Sequence, residues 1–211
     1  MRFAIAAAIL TLAVPVRAHA QQKEPIPRFV VDARAVVAKV GQDAVTAADL
    51  GLQATQLPAT GFGGAVGANV YVWRGSKMAL GFGGEGVLAR ASGTPTDSNG
   101  VVNGPRVERR LQGFSGTVSL NFGHRQGWSY ISAGVGPLRF QTFTGDLPTG
   151  DPPPFASTQN FGAGARWFAK EHLAFCFDLR FYLTQPADAS GSNPGRSRMR
   201  LLVFSAGVSI K

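Results

Sequence analysis

Leu173-Ala174-Phe175-Cys176-Phe177-Asp178-Leu179-Arg180-Phe181-Tyr182-Leu183-Thr184 is the stretch on which the fold turns. Its bulky apolar residues, Leu173, Phe175, Phe177, Leu179, Phe181 and Leu183, recur at every second position. A period of two puts them on one face of a β-strand, whereas a helix would scatter them around its circumference. The other face carries Ala174, Cys176, Asp178, Arg180, Tyr182 and Thr184, small or polar side chains with one acid and one base. A strand this long, greasy on one face and charged on the other, suits a transmembrane β-barrel. There lipid replaces water outside and polar side chains fill the inside.

Working outward, eight segments read as strands: 28–39, 62–73, 78–91, 107–122, 128–143, 159–169, 173–185 and 199–210. Each has the roughly 9–11 residues that a tilted strand needs to cross a bilayer. The connections alternate in length. Arg74-Gly75-Ser76-Lys77, Gly123-His124-Arg125-Gln126-Gly127 and Lys170-Glu171-His172 are short. Segments 40–61, 92–106, 144–158 and 186–198 are long and rich in turn chemistry, as in Asp97-Ser98-Asn99-Gly100, Asp151-Pro152-Pro153-Pro154 and Ser190-Gly191-Ser192-Asn193-Pro194-Gly195. Three short turns and four long loops are what eight antiparallel up-and-down strands give when both termini share a side. Residues 43–56 offer a short helix as the alternative to plain loop.

Parity along the strands predicts an interior with three acids, Asp32, Glu85 and Asp178, and three arginines, Arg34, Arg166 and Arg180. The balance matters, because breaking a buried ion pair costs roughly 3–5 kcal/mol. An eight-stranded barrel is just wide enough for side chains to fill it, so a plugged lumen is expected rather than an open pore. Trp73, Trp128 and Trp167 all lie beside short turns, the clustering that a membrane-interface aromatic girdle produces. By parity alone Trp73 falls with Asn69 and Tyr71 on the inner face. Gly134, Gly136 and Pro137 interrupt the alternation of the fifth strand and suggest a bulge there.

Bulk composition agrees with a membrane surface. Charged residues make up only 16% of the chain, below the quarter or so usual for soluble domains. Residues 1–20 read as a signal peptide: Arg2 is the positive start, Phe3 to Val14 the apolar run, and Ala18-His19-Ala20 an A-x-A cleavage site. A short N-terminal periplasmic segment, 21–27, and a barrel domain, 28–211, would follow. Removing Arg2 and Arg17 leaves 19 basic against 12 acidic residues, about +7. That charge suits phosphate-bearing partners such as anionic lipid, and export makes nucleic acid the least suitable of them. Cys176 is alone, so no intrachain disulfide forms, and its inward parity suggests a buried inert thiol.

No motif for chemistry stands out. Gly81-Phe82-Gly83-Gly84-Glu85-Gly86 fits G-x-G-x-x-G, but it continues as a strand instead of opening a helix, so nucleotide binding lacks its context. His124 and His172 fall in short turns, and neither a Ser-His-acid set nor metal-ligand spacing is evident. No cofactor, metal or catalysis is expected. Basic residues gather instead at the loop ends of two strands: Arg106, Arg109 and Arg110, and Arg196, Arg198 and Arg200. Arginine's forked donors match phosphate, so these six are candidates for lipopolysaccharide contact.

The leader, the eight alternating segments and the turn–loop asymmetry together resemble the small outer-membrane β-barrel superfamily, the OmpA/OmpX-like group, over residues 28–211. The closing segment Gly207-Val208-Ser209-Ile210-Lys211 keeps the alternation but lacks the terminal aromatic usual in that group. The resemblance implies an integral protein of the bacterial outer membrane, with a structural or surface-interaction role. Lipopolysaccharide and outer-membrane lipid would surround it, the barrel assembly machinery would insert it, and its loops would face any extracellular partner. Two rivals stand beside this reading. One is a secreted, soluble lipocalin-like barrel that binds a hydrophobic ligand inside; the other is an outer-membrane lipid A-modifying enzyme.

Overall fold

A computed structural model describes residues 24–97, 99–145, 152–189 and 195–211. Residues 1–20, with the expected signal peptide, lie outside the described residues, as do parts of the loop segments around Asp151 and Ser190. Eight strands follow in chain order: β1 (Phe29–Val40), β2 (Thr60–Arg74), β3 (Met78–Gly93), β4 (Val107–His124), β5 (Gly127–Thr144), β6 (Ala156–Phe168), β7 (Leu173–Leu183) and β8 (Arg200–Ile210). Each pairs antiparallel with its sequence neighbours, and β1 pairs with β8 to close the barrel. A short helix, α1 (Ala44–Asp49), and a single 3-10 turn at Ala54–Gln56 lie in the first long loop.

The alternation of β7 decides which face is which. Phe177 is 42% exposed and Asp178 is 2% exposed. The same inversion runs around the barrel. Val31, Val70, Phe82, Val118, Ile131, Phe161, Phe177 and Phe204, one from each strand in order, are all exposed. A soluble lipocalin turns its apolar face inward, so the lipocalin reading fails on this observation. A continuous apolar belt outside and a polar interior satisfy hydrocarbon and the closed backbone ladder together.

The interior is layered. Val36, Leu111, Leu138, Phe140 and Leu201 form an apolar layer toward the long loops, hereafter the loop end. The charged residues occupy the middle. At the turn end, Val30, Tyr71, Trp128 and Tyr130 close the bottom together with Ile26 from the segment preceding β1.

Three sequence expectations change. Trp128 is 3% exposed and points inward, against the edge of Tyr71 and stacked on Phe168, so it is no part of an interface girdle. Trp73 is 55% exposed, because the β2–β3 register slips between Tyr71 and Trp73 and turns the indole outward. A one-residue slip moves a side chain to the other face. Conversely, β5 keeps constant register with both neighbours. Its pairing with β4 lapses between Gly113↔Leu138 and Gly116↔Val135 without a shift, because Pro137 has no N–H to donate there.

Candidate functional site

Two groups of charged side chains are candidates, one inside the barrel and one on its outer surface. Inside, period-two geometry on β1, β3, β6 and β7 aims Asp32, Arg34, Glu85, Arg166, Asp178 and Arg180 at the axis, and all six are buried. Arg166 grips Asp32 with both arms of its fork, Nε to Oδ1 at 3.0 Å and Nη2 to Oδ2 at 2.5 Å. Ser209 donates to the same carboxylate from β8. Arg34 pairs with Glu85 and lies 3.4 Å from Asp178. Arg180 reaches Glu85 at 3.1 Å and Asp178 at 3.2 Å. Tyr130 donates to Asp178 (2.7 Å) and Tyr182 to Glu85 (3.0 Å). Every carboxylate therefore meets at least one arginine and one hydroxyl donor. The space left among these side chains is about 10 Å³, the room of one water molecule.

The six arginines named as lipid candidates divide. Arg106, Arg110, Arg198 and Arg200 lie at the surface. Arg109 and Arg196 do not: both are buried, and they bind backbone carbonyls inside the loop-end mouth. Arg109 donates to Gly41 and Pro58 (3.0 and 3.1 Å), and Arg196 donates to Phe140 (3.3 Å). Arg109 holds the first long loop over the barrel, Arg196 ties the last long loop to β5, and neither faces lipid. Asp43 completes this latch. It caps α1 through Val45 and Thr46 and accepts from the backbone and hydroxyl of Ser197. Burial pushes its carboxyl up, but the hydrogen bonds from Ser197 and Thr46 outweigh that and hold it below its ordinary value. Arg196 moves below its usual range because burial outweighs the attraction of Asp43.

Sequence reading missed the arrangement on the outer face. Among the described residues, charge on the outward face of the strands is confined to the loop-end part: Lys39, Arg90, Glu108, Arg110, Arg139 and Arg200. Arg90 and Arg110 are directly paired across β3 and β4, and both bind the buried Glu108. Arg90 shares its parity with Phe82 and Leu88, which could have revealed it. At the turn end the outward strand face carries exposed Phe29, Val72, Trp73, Phe122, Trp167 and Ile210, and the exposed basic residues there, among them Arg28, Arg74, Lys77 and Lys170, sit at strand ends and in turns. His124 and His172 stay at that end, with His172 Nδ1 3.2 Å from the Lys211 carbonyl. Among the described residues no His, Cys, Asp and Glu grouping fits a metal ion.

No family model matches the sequence, and no curated protein matches it. Solved structures do. Neisserial surface protein A aligns over 88% of this chain and 97% of its own, with a TM-score of 0.55 at 15% identity. Ail, the attachment invasion locus protein of Yersinia pestis, aligns over 86% and 96%, with a TM-score of 0.49 at 11% identity. The outer membrane protease OmpT from Escherichia coli aligns over 91% and 99%, with a TM-score of 0.46 at 7% identity. Closed eight-strand topology with an apolar outer belt is thus the fold this chain shares with Neisserial surface protein A, an eight-stranded antiparallel up-and-down β-barrel.

Proposed function

We propose that this protein is a non-catalytic outer-membrane barrel with a structural or surface-interaction role, its lumen closed by side chains and its long loops turned outward. The observation that carries the reading is the pairing of an exposed apolar belt with a charge layer that leaves about 10 Å³ of free space. Such a lumen passes no solute. With the long loops turned outward, arginines on the loop-end strand face would meet the phosphates of an outer leaflet rich in lipopolysaccharide. Arg106, Arg110, Arg198 and Arg200 remain the contacts for that lipid. Insertion would fall to the barrel assembly machinery.

Refolding from urea with and without detergent micelles tests this. A β-type circular dichroism spectrum and a heat-dependent gel-mobility shift should appear only with detergent. The folded protein should leave planar bilayers non-conducting. A monodisperse β-protein in plain buffer, or discrete single-channel steps, would overturn the reading.

A further inference from the structure

We infer that the outer face of β2, β3 and β4 holds a dedicated site for one phosphate-bearing lipid, with the phosphate on Arg90 and Arg110 and an acyl chain in the hollow beneath them. The inference rests on the membrane orientation proposed above and goes further by naming the site. Strand register lays out the surface in rows. Nearest the loops, Ser92 stands beside Glu108 and Phe143. The next row is Phe62, Arg90, Arg110 and Gln141, and below it Gly64, Leu88, Gln112 and Arg139. Toward the bilayer centre follow Val66, Gly86, Phe114 and Pro137. Gly64 presents no side chain outward, and a shallow, open hollow of about 360 Å³ lies among Phe62, Gly64, Leu88, Arg90, Arg110 and Gln112.

Its polarity is that of a lipid. The cationic rim lies toward the loops, and Leu88, Val66 and Phe114 lie toward the hydrocarbon. Glu108 engages Arg90 through Nη2 and Arg110 through Nε, so it aligns the two guanidinium groups side by side. Two arginines against one buried carboxylate leave a net positive charge, which a phosphate complements. Arg139 adds another cation one row lower, stacked on Phe155 at 4.1 Å. Each forked guanidinium retains donors for phosphate oxygens after binding Glu108.

The test uses the detergent-folded protein, titrated with bisphosphorylated lipid A and read by native mass spectrometry. Wild type should retain one lipid A at least tenfold more strongly than its phosphate-free form. Millimolar inorganic phosphate should not displace it, because the acyl chain supplies the anchor. The triple variant R90Q/E108Q/R110Q removes the charge without stranding a carboxylate and should weaken retention tenfold or more. Gly64→Leu should do the same while leaving every charge in place. A Cβ at Gly64 meets its nearest atom, the Arg34 carbonyl, at an ordinary 3.7 Å. Lys77→Gln, in the turn between β2 and β3 at the opposite end of the barrel, should retain lipid A like wild type. Equal retention by wild type and both site variants, no preference for the phosphorylated lipid, or displacement by inorganic phosphate would each overturn the site. Failure of the wild-type protein to fold in detergent would instead overturn the membrane reading itself.

Discussion

The barrel treats arginine in two opposite ways. Inside, Arg34, Arg166 and Arg180 are buried and matched to Asp32, Glu85 and Asp178, with serine, asparagine and tyrosine side chains completing the shell. Outside, Arg90, Arg110, Arg139 and Arg200 stand on the outward face near the loop end, with the Glu108 carboxylate between Arg90 and Arg110. The difference follows from what surrounds each group. A lumen guanidinium has no solvent to fall back on, so its counter-charge must come from the protein. An arginine on the outer face can recruit water or, in the membrane setting proposed above, lipid phosphate, so the protein leaves its charge unbalanced.

Substitutions can break this contrast in graded steps. Asp178→Ala should have the largest effect, because it removes the carboxylate shared by Arg34, Arg180 and Tyr130. A loss of about 3–5 kcal/mol is expected, read as a lower urea midpoint for loss of the unboiled gel form. Trp128→Ala should cost a similar ~3–5 kcal/mol as a core cavity. Trp73→Ala, on the exposed face, should cost on the order of 0.5 kcal/mol in the same assay. Equal effects at the two tryptophans would contradict the inward position of Trp128. Phe177→Arg places a charge in the lipid belt and should cost roughly 2–4 kcal/mol, measured by reversible folding into vesicles.

The smallest effect concerns the loop-end latch. Folding lowers the carboxyl pKa of Asp43, so its contribution is fully present above its ordinary value of 3.8 and is lost as pH falls through the still lower folded value. Hydrogen-exchange protection of residues 41–59, corrected for intrinsic rates, should therefore hold from neutral pH to about 4 and decline below it. Asp43→Asn should flatten that decline while the β-strands stay protected.

Most of the barrel was readable because hydrophobic period and loop length are local signals. β7 alone set both faces, and the six lumen charges followed from parity on their own strands. The errors have physical causes. Trp128 lies beside a turn, but proximity to a turn says nothing of facing; its shared parity with Tyr130 and Ser132 did carry that information. Arg109 shares parity with Leu111, Ser115 and Thr117, so its burial was also legible. Trp73 was not, because its direction depends on a register slip between strands that no single-strand pattern contains. Arg196 lies outside the strands, where its bridge to Ala187 sets its place and periodicity says nothing.

Closure of the barrel has a kinetic side. Seven seams join strands adjacent in sequence, and the eighth joins the two ends of the chain, pairing Val31 with Ile210. The largest single loop-closure cost therefore falls on that eighth seam. That event also completes the hydrogen bonding of two central charges: Ser209 donates to Asp32 and Ser205 accepts from Arg34 only once β8 lies against β1. An open sheet would leave these charges short of partners in a low-dielectric setting. The last seam thus works as a fastener that makes partly zipped barrels short-lived. A circular permutant opened at residues 125–126 would move the slow step to the β4–β5 seam, where Pro137 already interrupts the ladder.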